Sequence, residues 1–139
     1  MTPIFTRFTA LLMLVMLVAC SGAPISGTRS SDTAFYDYQS AVRWNEFQTA
    51  WTFLDPAVRD EQPFSDELRE RLKLVQVAGY EVKGSDTSQP GEIFQSVEIR
   101  WIDKRDMTEQ VITDHQRWRW DEAGKHWWLV SGLPAFDKP

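Results

Sequence analysis

The sequence predicts an α+β domain: two or three N-terminal helices packed on a four-stranded antiparallel sheet. Three observations carry this. Apolar residues recur at helical spacing as far as Leu72, and then near every second position from Leu74 onward. The two regimes follow one another without alternating, which puts the helices on one face of an antiparallel sheet and argues against βαβ units. The final strand-like runs are joined by short polar turns, as in a meander. At 139 residues the chain fits one domain.

In the helical half, Asp32 is placed to cap a helix whose face is Phe35, Tyr38 and Val42, at i, i+3 and i+7. Phe47, Ala50, Trp51 and Leu54 form a second face. The five residues between Val42 and Phe47 turn the helix by about 500°, so the stripes are out of phase. A break near Arg43-Trp44-Asn45 follows, with Asn45 capping the second helix. Asp55-Pro56 ends that helix, and Pro56 can open a short turn of its own. Ser65 caps a third helix running to Leu72, with Asp66 and Glu67 in its first turn and Arg69, Arg71 and Lys73 near its end, the order that suits the helix dipole.

The strand half starts with Leu74 to Lys83, followed by a Ser/Asp/Pro/Gly loop from Gly84 to Gly91. Ile93, Val97, Ile99 and Trp101 then alternate with Glu98 and Arg100, a half-buried strand. Asp103 to Met107 is a charged turn, and Gln110 to Trp120 is a long strand with Ile112, Trp118 and Trp120 on one face. Asp121 to Lys125 reads as a hairpin loop with Gly124 in the left-handed position, and His126 to Ser131 is the last strand, stopped by Pro134.

The first nineteen residues read as an address. Arg7 gives the early positive charge, and Ala10 to Ala19 is an uncharged apolar run too short to span a bilayer, which takes about 20 residues. It ends in Leu17-Val18-Ala19-Cys20. This resembles the lipobox of bacterial lipoproteins. The resemblance implies cleavage before Cys20, a diacylglycerol on its thiol and acylation (palmitate) of its amino group. The alternative is a plain secreted protein with a small-x-small cleavage site. Ala19 meets that pattern and Leu17 does not. Two or more chains hold a protein stably where one does not. Ser21 follows the cysteine. In lipoproteins an aspartate there resembles an inner-membrane retention signal, so its absence implies outer-membrane sorting, facing the periplasm. The expected division is therefore a signal peptide over 1–19, a lipidated cysteine and flexible tether over 20–32, and one α+β domain over 33–139.

Charge narrows the partners. Fifteen basic residues less Arg7, against twenty acids, leave the mature chain at −6. An acidic balance argues against a nucleic-acid binder and leaves anchoring to the lipid rather than to a basic patch.

The helices-first order, the long last strands and the Trp118-x-Trp120…Trp127-Trp128 spacing resemble the cystatin-like and nuclear-transport-factor-2-like superfamily over roughly residues 33–133. Arg117-Trp118-Arg119-Trp120-Asp121 and Trp127-Trp128-Leu129 also resemble runs in small proteobacterial lipoproteins. The resemblance implies a curved sheet wrapped on helices as a cone. Some members of the superfamily are enzymes and many only bind, so the fold does not decide function.

No metal or cofactor is expected. The histidines, His115 and His126, lie eleven apart, and no pair has zinc-ligand spacing. A phosphate loop and a Gly-x-Ser-x-Gly elbow are absent. Tyr80, Asp114 and His115 lie on predicted strands and are the acid/base candidates, since superfamily enzymes such as ketosteroid isomerase pair a carboxylate base with tyrosine and a protonated acid in an apolar pocket. Asp114 shares the parity of Trp118, which would turn it inward. The plainer alternative is that it is solvated or pairs with an arginine. No position-by-position match to the isomerase motif is present.

Seven tryptophans are the oddest compositional feature. Trp101, Trp118, Trp120, Trp127 and Trp128 are the binding candidates, weighed against their filling a wide core. Adjacent Trp127 and Trp128 must point to opposite faces. Arg117 and Arg119 alternate with tryptophan and are expected to lie against acids such as Glu98. The leading expectation is a lipid-anchored, non-catalytic binding or scaffolding module with a protein or envelope partner. The alternative is a small-ligand carrier or pocket enzyme of the ketosteroid-isomerase type.

Overall fold

A computed structural model describes residues 26–136, with the side chains of 26–30 excepted. Four helices precede four strands: α1 (Ser26–Arg43), α2 (Phe47–Trp51), α3 (Pro56–Glu61) and α4 (Asp66–Leu72), then β1 (Val75–Asp86), β2 (Glu92–Asp103), β3 (Thr108–Asp121) and β4 (His126–Leu129). The strands form one antiparallel sheet in the order β1-β2-β3-β4, and the sheet is not closed. The expected α+β class and meander are therefore present, with four helices in place of two or three. The added one is the Pro56 turn, which makes a full short helix because Asp55 caps it: the Asp55 carboxylate accepts from Ala57 N–H at 2.9 Å.

Several local expectations change. Helix α1 starts at Ser26, inside the stretch read as tether, so Asp32 lies within a helix and does not cap one. Packing starts early: Ser31 is already buried ahead of the Phe35 stripe. Asn45 terminates α1 and leaves α2 uncapped. Its φ is 60°. Asn45 N–H donates to Val42 O at 3.1 Å and Glu46 N–H to Ala41 O at 2.8 Å, the paired bonds of a Schellman motif with Asn45 in the left-handed position. The freed Asn45 amide oxygen accepts from Val77 N–H at 2.8 Å and so ties the end of α1 to β1. The Ser65 cap stands as expected, accepting from Leu68 N–H at 3.1 Å.

Strand β1 runs on through Gly84 to Asp86, into the expected loop, with register shifts at Val77/Gly79 and Val82/Gly84 that leave Ala78 and Lys83 as the extra residues while both glycines stay paired with β2. The first shift reverses side-chain parity. Val77 pairs with Trp101 and Tyr80 with Ile99, so Tyr80 faces the helices along with Val75 and Val77. In the last hairpin Lys125, not Gly124, takes the positive φ of 55°. Gly124 is needed for space: a Cβ there would stand 2.4 Å from His126 Cε1. Strand β4 ends at Leu129, two residues early, and its outer edge is covered: Leu129 N–H donates to Phe53 O at 2.8 Å and Asp55 N–H to Leu129 O at 2.9 Å.

Tyr38, Val42, Phe47, Ala50 and Leu54 from the helices meet Val97, Ile99, Trp101, Trp118 and Leu129 from the sheet in one core. The segment after β4 closes its lower end, where Phe136 packs edge-on to Phe47 at 5.3 Å and to Trp101 at 5.6 Å. Among the described residues the buried core runs from Tyr38 to Leu129, with Ala34, Phe35 and Phe136 packed against it. Among the described residues no helix is long and apolar enough to cross a membrane.

Candidate functional site

Strand β3 turns Ile112, Asp114, Gln116, Trp118 and Trp120 toward the helices by simple alternation. Gln116 is buried, 2% exposed, and is the hub of a polar cluster on this otherwise apolar face. Its Nε2 donates to Tyr80 Oη at 2.9 Å and to Asp114 Oδ2 at 2.8 Å. Its Oε1 accepts from Trp118 Nε1 at 3.2 Å. Tyr38 descends from α1 onto the same region, its ring 5.2 Å from Trp118 and nearly perpendicular. Its hydroxyl is buried with no hydrogen-bond partner among the described residues.

This environment favours the neutral form of each acid. Burial raises the Asp114 carboxyl above its ordinary value, only partly offset by the Gln116 amide and His115. Burial likewise raises Tyr80 far above an ordinary phenol, against the opposing Gln116 bond, with the Asp114 charge adding to the rise. Tyr38 is raised by burial first, then by Asp114 and Tyr80. Two phenols and one carboxyl thus sense one another in a low-dielectric patch.

Two of the three acid/base candidates, Tyr80 and Asp114, are therefore brought together, and the third is not. His115 lies on the opposite face, exposed, with Nδ1 3.3 Å from Ser96 Oγ on the neighbouring strand. Sequence reasoning missed Gln116 and Tyr38. Gln116 was legible in principle, being two positions beyond Asp114. Tyr38 was visible only as part of an apolar stripe.

The tryptophans divide. Trp101 and Trp118 are core residues, 2% and 0% exposed. Trp120 is half-buried, with its indole N–H on Glu122 Oε2 at 2.7 Å. Trp127 and Trp128 point to opposite faces as expected. Trp127 packs 5.4 Å from Trp120. Trp128 is half-buried and donates to Asp121 Oδ2 at 3.2 Å. The Arg59 guanidinium lies 5.5 Å from the Trp128 ring and 5.4 Å from that of Trp51, binding α3 to β4. Arg117 and Arg119 find acids other than Glu98: Arg117 pairs with Glu92 and Arg119 with Asp55, while Glu98 lies 3.7 Å from Lys83. Glu92 stands in register with Arg119, diagonal to Arg117, which explains the first choice.

Trp127 and Trp128 also line an open groove of about 480 Å³ between the middle of α1, Thr52-Phe53 and the β3–β4 hairpin. Asp37 and Lys125 are both among its lining residues. The Trp127 indole N–H is buried with no partner among the described residues. Asp37, Phe53 and Lys125 were not singled out by the sequence, because the groove joins segments some ninety residues apart. Among the described residues no group of three or more His, Cys, Asp or Glu side chains is placed to hold a metal ion. Cys20 lies outside the described residues.

No protein-family model, no curated protein and no solved structure matches this chain.

Proposed function

We propose that this protein is a lipid-anchored envelope lipoprotein whose domain is a non-catalytic binding or scaffolding module, held through Cys20 in the outer membrane and facing the periplasm. The observation that carries the binding role is the open groove of about 480 Å³ whose lining includes Phe53, Trp127 and Trp128. Its partner is a protein or other envelope component. The anchor rests on Leu17-Val18-Ala19-Cys20, and the outer-membrane address on Ser21. We also assign the domain to the cystatin-like and nuclear-transport-factor-2-like cone. The two β1 bulges support this, since bulges are how a sheet is bent around helices.

The test is palmitate labelling with membrane fractionation, followed by photocrosslinking from position 125 in envelopes. The expected result is a labelled, outer-membrane protein that crosslinks to one discrete component, with the crosslink lost in Trp128→Ala. An unlabelled protein overturns the anchor. A crosslink that is absent, or unchanged by Trp128→Ala, overturns the binding face.

A second reading, a small-ligand carrier or acid/base enzyme, is favoured by the convergence of Tyr80 and Asp114 on Gln116. Two phenols beside a carboxyl of raised pKa match the chemistry that polarises a carbonyl oxygen. This reading expects small neutral ketones to shift the Asp114 carboxyl signal in carbon-13 spectra. A silent Asp114 across such ligands removes it.

A further inference from the structure

The sheet has one covered edge and one open edge. Phe53 and Asp55 bond to Leu129 and close the β4 side. On the other side β1 has only β2 for a neighbour. Asn45 covers that edge as far as Val77, whose N–H it accepts. Beyond it, from Gly79 to Asp86, no backbone N–H or C=O is bonded on the outer side among the described residues. Every second residue of an edge strand turns these groups outward, so the edge is a template for a further strand. From Glu81 to Asp86 it is exposed on both faces.

Bulges and lysines commonly guard such an edge, and β1 has both. Their placing here selects one partner and refuses others. The extra residues Ala78 and Lys83 bracket Gly79 to Val82, which pair in unbroken register with Arg100 to Val97. Val82 is a large apolar side chain left 44% exposed, and Glu81 and Lys83 stand on either side of it. A second β1 laid antiparallel, with the two-fold axis at Val82, sets valine against valine and each Glu81 opposite the second copy's Lys83. β-Branched and opposite-charge pairs across strands are the contacts that stabilise a sheet. Moving the axis one residue either way sets two carboxylates or two ammonium groups face to face. Within one chain Glu81 and Glu98 already stand directly opposite, and both draw on Lys83, at 2.8 and 3.7 Å. Like charges so placed are unfavourable, and the second copy's Lys83 adds a cation beside them.

We propose that the open edge of β1 pairs with β1 of a second copy of this chain, joining the two sheets into one across a two-fold axis at Val82. The seam is short, so the dimer is a weak one that forms and parts. The edge lies across the sheet from the β3–β4 hairpin, so the pairing leaves the tryptophan groove open on both copies. Neither the groove nor the lipid anchor enters this pairing.

The test uses the full chain purified in mild detergent, with sedimentation over a concentration series. The wild type is expected to dimerise reversibly. Glu81→Lys and Lys83→Glu are each expected to weaken the dimer at least about tenfold, since like charges then meet at the axis. The double variant carrying both changes restores the complementary order and is expected to regain the wild-type affinity. Both side chains are exposed, at 67% and 44%, and recovery in the double variant separates charge order from a folding defect. Val82→Cys is expected to give a disulfide-linked dimer on oxidation, and Val111→Cys, exposed on β3, is not. A wild type still monomeric at about 1 mM overturns the proposal. So does a dimer that both single variants leave intact, or a double variant as weak as the singles. A Val82→Cys chain that links in envelopes to a different protein and never to itself gives the edge to a foreign strand and overturns the second copy as its occupant.

Discussion

The Gln116 amide donates to the Asp114 carboxylate at 2.8 Å, across two positions of one strand face. The same nitrogen serves Tyr80, and the amide oxygen serves Trp118. One buried side chain thus satisfies three polar groups that face an apolar core. Replacing it with an apolar residue of similar volume strands all three. Gln116→Met is expected to destabilise the domain by about 2–3 kcal/mol, the scale of leaving buried polar groups unpaired. Urea unfolding measures this, and an unchanged midpoint would show that water replaces the amide.

The pH dependence of stability follows from Asp114. Its carboxyl is raised above the ordinary 3.8 in the folded chain, so the native state holds the proton over a range where the unfolded state has released it. The contribution of Asp114 to stability is therefore fully present below that ordinary value and is lost as pH rises through the raised one. Asp114→Asn keeps the bond to Gln116 possible, removes this slope and stabilises the protein at neutral pH. Chemical denaturation at a series of pH values decides it: equal slopes in wild type and variant would mean that the Asp114 carboxyl is solvated.

The class, the strand order and the Ser65 cap were legible because each rests on local periodicity or one capping residue. What was not legible depended on contacts remote in sequence. The inward turn of Tyr80 requires a bulge at Val77/Gly79, which adds one residue against β2 and leaves no mark in the alternation of β1 itself. Asp114 was legible through its shared parity with Trp118, whereas Tyr38 reaches the cluster only because α1 crosses that part of the sheet. The tryptophan groove assembles Asp37, Phe53 and Lys125 by tertiary packing alone. The partner of Arg119 was misjudged for the same reason: Asp55 comes from outside the sheet and lies sixty-four residues away.

Asp55 acts twice. It caps α3 through Ala57 N–H and pairs with Arg119 on β3. Burial pulls its carboxyl upward, but the Arg119 hydrogen bond, the Ala57 amide and the two nearby guanidiniums outweigh this and hold it below its ordinary value. The native state therefore prefers the ionised form. The stabilisation is present above the ordinary carboxylate value and is lost as pH falls through the lowered one. Asp55→Ala should cost about 1–2 kcal/mol at neutral pH through the lost cap alone, whereas Glu70→Ala, which breaks the exposed pair with Lys73, should cost less than about 0.5 kcal/mol. Thermal unfolding of the two variants at pH 7 compares them directly, and equal losses would contradict a capping role.

The β3–β4 hairpin carries a local strain that can be relieved at one position and worsened at its neighbour. Lys125 holds φ at 55° and carries a Cβ, which disfavours that region. Lys125→Gly removes the clash and is expected to stabilise the hairpin by a few tenths to about 1 kcal/mol. Gly124 is not in the left-handed region, yet Gly124→Ala would drive a methyl to 2.4 Å from His126 Cε1 and 2.9 Å from Asp121 Oδ2. The ring of His126 is itself held by a 2.9 Å contact of Nδ1 with Gly124 O and by packing 4.1 Å from Trp128, so it cannot swing away freely. Gly124→Ala should therefore destabilise by about 1–3 kcal/mol, as overpacking does, and should shift the Trp128 indole signal. Opposite signs at adjacent positions separate conformational freedom from space as the reason for each residue. If both substitutions stabilise, the close approach at Gly124 is absent in solution.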